Sequence, residues 1–205
     1  MDRKGKLLVI SGPSGVGKGT IVSKITERLG GTVRLSISAT TRKPREGEND
    51  GVHYHFLSEE EFLNRVGKNE FLEYAYVHEK YYGTPKPPVE TALREGCDVI
   101  LEIDVQGAMQ VKKNFQDGVY IFILPPSVEE LRNRLTQRGT ESEQDLELRM
   151  SKALAEMGYL DRYDYAVVND DLQDAVDKVL SIIQAEHCRV GDETVQEMMR
   201  LSNEL

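Results

Sequence analysis

The chain is short of three things, and each shortage narrows what it can be. It lacks a long apolar run. The stretch Leu7-Leu8-Val9-Ile10 in "MDRKGKLLVISG" is far too short for a signal segment or a membrane span, and no other window approaches that length. It is poor in cysteine. Cys97 and Cys188 allow at most one bridge and form no CxxC or CxxH pattern, which points to a reduced, cytoplasmic setting with two bland thiols. It is also short of positive charge: 26 Lys and Arg against 35 Asp and Glu leave a formal net charge of -9. That balance argues against a partner that is a nucleic-acid polymer or a membrane surface. A local basic site for a small anion is still compatible with it. At 205 residues the chain suits one domain whose core needs no disulfide or metal staples.

What is present is a regular alternation. "KLLVIS" (6–11), "CDVILEID" (97–104), "GVYIFIL" (118–124) and "YAVVN" (165–169) read as strands buried on both faces, because they are nearly continuous in Val, Ile and Leu. Each is followed by a segment of helical period; one of these opens with the capping box Ser127-x-x-Glu130. The pattern predicts an α/β fold with a parallel central sheet between helical layers. Two polar segments interrupt it. Residues 38–88 suggest hairpins around one helix (58 to about 66), a mixed α+β insertion; residues 130–158 are charged and helical, a lid. Both belong over the carboxyl edge of the sheet, where open α/β sheets bind ligands. The core is thus expected in 1–37, 89–129 and 159–188. The tail, 189–205, is acidic with an apolar side (Val195, Met198, Met199, Leu201) that suits packing on the body or on a sister subunit of a homo-oligomer.

The most lopsided window is "SGPSGVGKGT". Gly12, Gly15, Gly17 and Gly19 surround one lysine, Lys18, between a predicted strand and a predicted helix. That is the context a P-loop requires. Glycines let backbone N–H groups turn inward around phosphate oxygens, the helix start adds a positive dipole end, and Lys18 supplies a full charge. A nucleoside triphosphate with magnesium is the ligand this predicts. One position departs from the general pattern: Gly19 stands where a Ser or Thr normally follows the lysine, so no hydroxyl reaches the metal from there. Thr20 is the substitute metal ligand, or phosphates and water hold the ion.

In "SATTRKPREGENDGVHY", Arg42 and Arg45 lie on an irregular loop near tyrosines. Paired guanidinium groups suit a phosphate monoester, with Tyr54 and Tyr82 adding hydroxyl donors. A merely charge-decorated loop is the alternative. Here the residues resemble a family, the guanylate kinases. "ISGPSGVGKGT", "SATTRKPREGENDGVHYHF", "NEFLEYAYVHEKYYGTP", "LEIDVQG", "IFILPPSVEELRNRL", "RGTES" and "VVND" are similar to its blocks, in its order, from about Lys6 to His187. The likeness is to the bacterial-type enzymes. It implies transfer of the γ-phosphoryl group of ATP to GMP, and to dGMP, with Mg2+, in purine nucleotide metabolism. For the donor it implies contacts from Gly12, Pro13, Ser14, Gly15, Val16, Gly17, Lys18, Gly19, Thr20, Arg138 and Asn169. For GMP it implies Ser38, Arg42, Arg45, Glu48, Tyr54, Glu73, Tyr82, Thr84, Glu102 and Asp104. Lys18, Arg42, Arg138, Arg149 and Asp104 are implied in the chemistry itself.

Chemistry supports part of this independently. Guanine offers N1–H and N2–H2 on one edge, which a carboxylate such as Glu73 accepts, while Ser38 and Thr84 hydroxyls can donate to O6. Adenine would leave Glu73 unpaired. Without the family likeness Glu73 also reads as a solvated strand residue. Glu102 and Asp104, two apart at a strand end, are expected on one face; they suit orienting magnesium's waters, and Asp104 also suits capping the helix that follows. Some relatives carry Asp at the place of Glu102. Arg134 and Arg138, four apart, share a helix face, either as salt-bridged surface or as a lid over the triphosphate. His53 and His55 lack a third metal ligand at usable spacing. Two rival functions remain, an inactive interaction module of the same shape and a kinase for another base; the intact Gly12, Gly17 and Lys18 weigh against the first, and Ser38, Glu73 and Thr84 decide the second.

Overall fold

A computed structural model describes residues 4–77, 79–136, 143–191, 195, 198–200 and 202. The run LLVIS forms β1 (Leu7–Ser11), buried at all five positions. Its alternation feeds two different layers. Leu8 and Ile10 join a core with Ile21, Val22 and Ile25 of α1 (Lys18–Leu29) and with Val176, Val179 and Ile183 of α7 (Leu172–His187). Leu7 and Val9 face the other way, onto Val89 and Leu93 of α3 (Lys86–Arg94) and Ala108 and Val111 of α4 (Val105–Asn114). A strand covered on both faces therefore reads as continuous rather than alternating, as the sequence does. Burial of each such aliphatic side chain contributes about 1.5–3 kcal/mol.

The central sheet has five parallel strands in the order β2 (Val33–Leu35), β7 (Asp98–Glu102), β1, β8 (Val119–Leu124), β9 (Tyr165–Val168). Four of these strands were expected. The fifth, β2, is three residues with only Val33 buried, too short and too polar at Arg34 to register as apolar. β7 stops at Glu102, two residues earlier than its apolar run suggests, because Asp104 leaves the strand to cap α4: its side chain accepts the Gly107 N–H at 2.8 Å.

The first insertion carries a separate four-stranded sheet ordered β4 (His55–Phe56), β3 (Ala39–Thr40), β6 (Lys80–Pro85), β5 (Phe71–Val77). β5 and β6 form the expected antiparallel hairpin, but β3 and β4 run parallel, because the loop 41–54 carries the chain back before β4 begins. The helix α2 (Glu59–Gly67) is capped by Ser58 and packs Phe62 against Phe71 and Tyr81. This small core holds Ala39, Phe62 and Phe71. The second insertion supplies α5 (Val128–Thr136) and α6 (Glu143–Met157), joined through Leu131, Leu135, Met150 and Ala153. Among the described residues no helix is long and apolar enough to cross a membrane.

Candidate active site

The glycine loop links the end of β1 to the start of α1, at the carboxyl edge of the central sheet. Gly12 has φ 146° and Gly17 φ 95°, a region that side-chain-bearing residues rarely adopt, and a Cβ at Gly12 would collide with the Ile123 carbonyl. Between them Val16 is fully buried and anchors the loop in the core. Asn169, just past β9, donates its side-chain amide to the Val16 carbonyl at 2.7 Å and stands against Gly17. Lys18 Nζ bends back over the loop, donating to the carbonyls of Gly12 (2.6 Å) and Pro13 (3.1 Å). The ammonium is thus held against the loop by its main-chain carbonyls.

Beside the loop lies a cavity of about 450 Å3, lined by Gly15, Gly17, Thr20, Arg134, Asn169 and Leu172 among others. Arg134 pairs with Glu130 one helical turn away and also donates to the Asn169 carbonyl at 3.1 Å. The salt-bridged reading of that arginine face holds at Arg134, which also lines the cavity. The sequence did not single it out as a site residue; the signal available was Glu130 at i-4, which pins it. Arg149 from α6 reaches the Ser14 hydroxyl at 3.3 Å. Arg138 falls outside the described residues, as do His78 and Leu201.

Across the cleft, the second sheet assembles a different kind of surface. Arg42 makes a two-pronged pair with Glu48, both N–O distances 2.9 Å, and its guanidinium lies 5.4 Å from the Tyr54 ring centre. Tyr54 and Tyr82 meet edge to face at 6.2 Å. Glu48 also accepts the Arg45 backbone N–H at 2.7 Å, so one carboxylate organises the whole turn. Arg42, then the Arg45 amide, pull the Glu48 carboxyl down to about 2. Arg45's side chain is on the exposed side of that turn, and Ser38 sits half-buried before β3. His53 accepts the Asn49 N–H in the turn, and β4 starts only at His55, so the two histidines do not share a strand face.

Glu73 is the unusual group here. It is only 8 % exposed, on β5, and accepts the Thr84 hydroxyl from β6 at 2.6 Å. Burial pushes its carboxyl up to about 7, against the opposing pull of the Thr84 hydroxyl. A buried carboxylate held only from Thr84 has acceptor capacity left over, so a ligand with paired N–H groups would satisfy it. The first turn of α4 presses on it: a Cβ at Gly107 would stand 3.1 Å from Glu73 Oε2.

The two regions meet at the end of β7. Glu102 and Asp104 do not act as a like-directed pair. Glu102 lies against the glycine loop, 3.2 Å from where a Cβ at Gly19 would be, and Asp104 lies at the Gly107 turn beside Glu73. Partial withdrawal from water raises the Glu102 carboxyl above its usual value, and the Lys18 charge works against that rise.

The family model described as guanylate kinase matches residues 4–186. The chain belongs to the guanylate kinase family. It is 53% identical to the guanylate kinase of Clostridium tetani (strain Massachusetts / E88) over 98% of this chain and 95% of that one. It is 55% identical to the guanylate kinase of Caldanaerobacter subterraneus subsp. tengcongensis over 93% and 92%. Among solved structures, the crystal structure of guanylate kinase from Anaplasma phagocytophilum superposes with a TM-score of 0.73 at 34% identity, covering 92% of this chain and 89% of that one.

Three further polar groups lie near the glycine loop without having been expected from the sequence. Ser11 is fully buried at the end of β1, and Tyr163 lies half-buried over Phe122, their rings 4.8 Å apart. Burial raises the Tyr163 hydroxyl to about 12, with Ser11 beside it working the other way. Glu156 of α6 has its carboxyl raised, chiefly by burial. No spacing rule connects positions 11, 156 and 163; only the fold does.

Proposed function

We infer that this protein transfers the γ-phosphoryl group of ATP to GMP, giving ADP and GDP, in the cytoplasm. The observation that carries the reading is the end of β7, where Glu102 leans to the glycine loop and Asp104 to buried Glu73. A triphosphate on the loop and a guanine on Glu73 are thereby set facing each other across one strand end. The adenosine end of the donor fits the cavity between Arg134, Asn169 and Leu172.

On the acceptor side, Glu73 takes the N1–H and N2–H2 of guanine, and Ser38 and Thr84 supply hydroxyls near O6. The GMP phosphate docks on Arg42, Arg45, Tyr54 and Tyr82, where its oxygens compete with Glu48 for the Arg42 fork. The attacking atom is a phosphate oxygen that is already ionised, so no side chain has to remove a proton. A bond forms from that oxygen to the γ-phosphorus as the bond to the ADP oxygen breaks, in line. Lys18 and the lid arginines, Arg138 and Arg149, neutralise charge on the moving group. Glu102, against the loop at Gly19, and Thr20 are oxygen donors near Lys18 that would suit magnesium. When bound, magnesium neutralises the β- and γ-phosphates.

A coupled ADP-release assay with GMP, dGMP, AMP and UMP tests the reading. GMP and dGMP are expected to turn over, AMP and UMP to remain near background. Turnover of AMP at a rate comparable to GMP contradicts the role given to Glu73, and no turnover with any acceptor contradicts the enzyme reading.

A further inference from the structure

Three consecutive residues of β5 are buried in three different places. Phe71 joins the small core of the insertion, Leu72 joins the core under α3 and α4, and Glu73 lies between Thr84 and the first turn of α4. A regular strand would alternate, with Phe71 and Glu73 on one face and Leu72 on the other. The register departs from that. Phe71 pairs with Pro85 and Glu73 with Thr84, so β5 takes two steps where β6 takes one. This is a β-bulge at Leu72, and a bulge re-aims the side chains beside it. The opposite strand is built to admit it. A Cβ at Gly83 would stand 2.8 Å from the Glu73 carbonyl oxygen and 2.9 Å from Tyr74 Cβ, an approach only glycine allows.

β5 is also the edge strand of its sheet. The backbone N–H of Tyr74, next after Glu73, donates to Gln110 Oε1 of α4 at 3.2 Å, 36 residues away in sequence. One turn earlier on the same helix face, Gly107 lies under Glu73 Oε2. α4 therefore meets the bulge twice. A glycine leaves room for the carboxylate, and a glutamine side chain pins the backbone that carries it. Glu73 Oε1 is held from the other side by the Thr84 hydroxyl.

We propose that Gln110 is a positioning residue for base selection: by pinning the Tyr74 N–H it holds the bulge in the register that aims both Glu73 oxygens at the guanine edge. This rests on the reading that Glu73 takes the N1–H and N2–H2 of guanine. Gln110 itself acts only through β5 and touches no substrate. A carboxylate shared between two N–H groups needs closer placement than one that meets a single N–H. Inosine monophosphate keeps N1–H and O6 but lacks the N2 amino group, so it asks only for the looser contact. Loosening β5 should therefore erode the preference between these two purines rather than activity in general.

The test compares kcat/KM for GMP and for inosine monophosphate in Gln110→Ala and Gln110→Glu. Q110A should lower the GMP value by about tenfold and the inosine monophosphate value by about twofold, so the preference falls about fivefold. The KM for ATP should stay within about twofold of wild type. Q110E keeps an acceptor oxygen and should hold the preference within about twofold. In a Glu73→Gln background, Q110A should not erode it further, because the carboxylate it aims is gone. Thermal melts check that each variant folds. An unchanged preference in Q110A overturns the proposal, whatever the loss in rate. So does equal erosion in Q110A and Q110E, an effect undiminished in the Glu73→Gln background, or a Q110A that fails to fold, which makes the contact structural. Each of these leaves the kinase reading standing. Wild-type enzyme that turns over inosine monophosphate as well as GMP contradicts the role given to Glu73 itself.

Discussion

The donor and acceptor sides of this enzyme are built from different materials. The donor loop is mostly backbone: its glycines with positive φ, the buried anchor Val16, and main-chain carbonyls that hold Lys18. It hangs from the five-stranded sheet and the large core beneath it. The acceptor surface is mostly side chain, on a small sheet whose own core is Ala39, Phe62 and Phe71. Backbone amides read phosphate and are indifferent to the base. On the function proposed above, side chains such as Glu73 read the base. The comparison teaches that affinity for the common part of a nucleotide can come from chain path, whereas choice among nucleotides needs placed functional groups.

Substitutions can break that division. The largest effect is expected at Lys18, the one indispensable side chain of the donor loop. Lys18→Ala should lower kcat by about a thousandfold or more in the ADP-release assay, as loss of a charge that stabilises the transferred group does. Substantial remaining turnover would mean that the loop backbone suffices. Next comes Glu73→Gln, which keeps shape and removes the double acceptor. It should reduce kcat/KM for GMP by about 100-fold while leaving the KM for ATP within about twofold. Equal damage to both substrates would dissolve the distinction between the two sides.

A subtler test reaches the acceptor through backbone. Gly107→Ala puts a methyl 3.1 Å from Glu73 Oε2, so the carboxylate must shift. The KM for GMP should rise by about tenfold with kcat less affected, a split that simple loss of folded protein would not produce. The smallest effect is one of pH. The Glu73 carboxyl lies at about 7 in the empty protein, raised by burial from its ordinary value. Because it is raised, ionising it costs stability: that cost is absent at acid pH and grows as pH rises through the ordinary carboxyl range towards 7. Guanine needs the ionised form. GMP binding should therefore release up to one proton near pH 6, seen as buffer-dependent heats in calorimetry, and the KM for GMP should fall as pH rises from 6 to 8. Binding heats independent of the buffer would place Glu73 already ionised.

The same division explains what could be read from sequence. The donor loop was legible because its chemistry is local: strand, glycines, lysine and helix are consecutive, and the structure keeps them so. The sheet was legible for the same reason, except for β2, whose pairing with β7 depends on partners and not on its own three residues. The acceptor surface is assembled from Arg42, Tyr54, Glu73, Tyr82 and Thr84, brought together by strand pairing across the insertion. Residue type alone left Arg42 and Glu73 open between function and solvated surface; the family resemblance, rather than periodicity, singled them out. Burial of Glu73 at 8 % exposure is the physical fact that periodicity could not supply. Ser11, Glu156 and Tyr163 were missed because their surroundings follow from neighbours far away in the chain. Glu102 and Asp104 were given a shared face, which the early end of β7 removes.

The claim beneath all of this is that the cleft holds two nucleotides at once. Calorimetric titration of GMP into protein saturated with Mg–AMP-PNP measures it directly. One GMP per chain should bind, with an affinity no weaker than about threefold below that for the empty protein. GMP that binds only by expelling the triphosphate would show a single shared pocket and contradict the account.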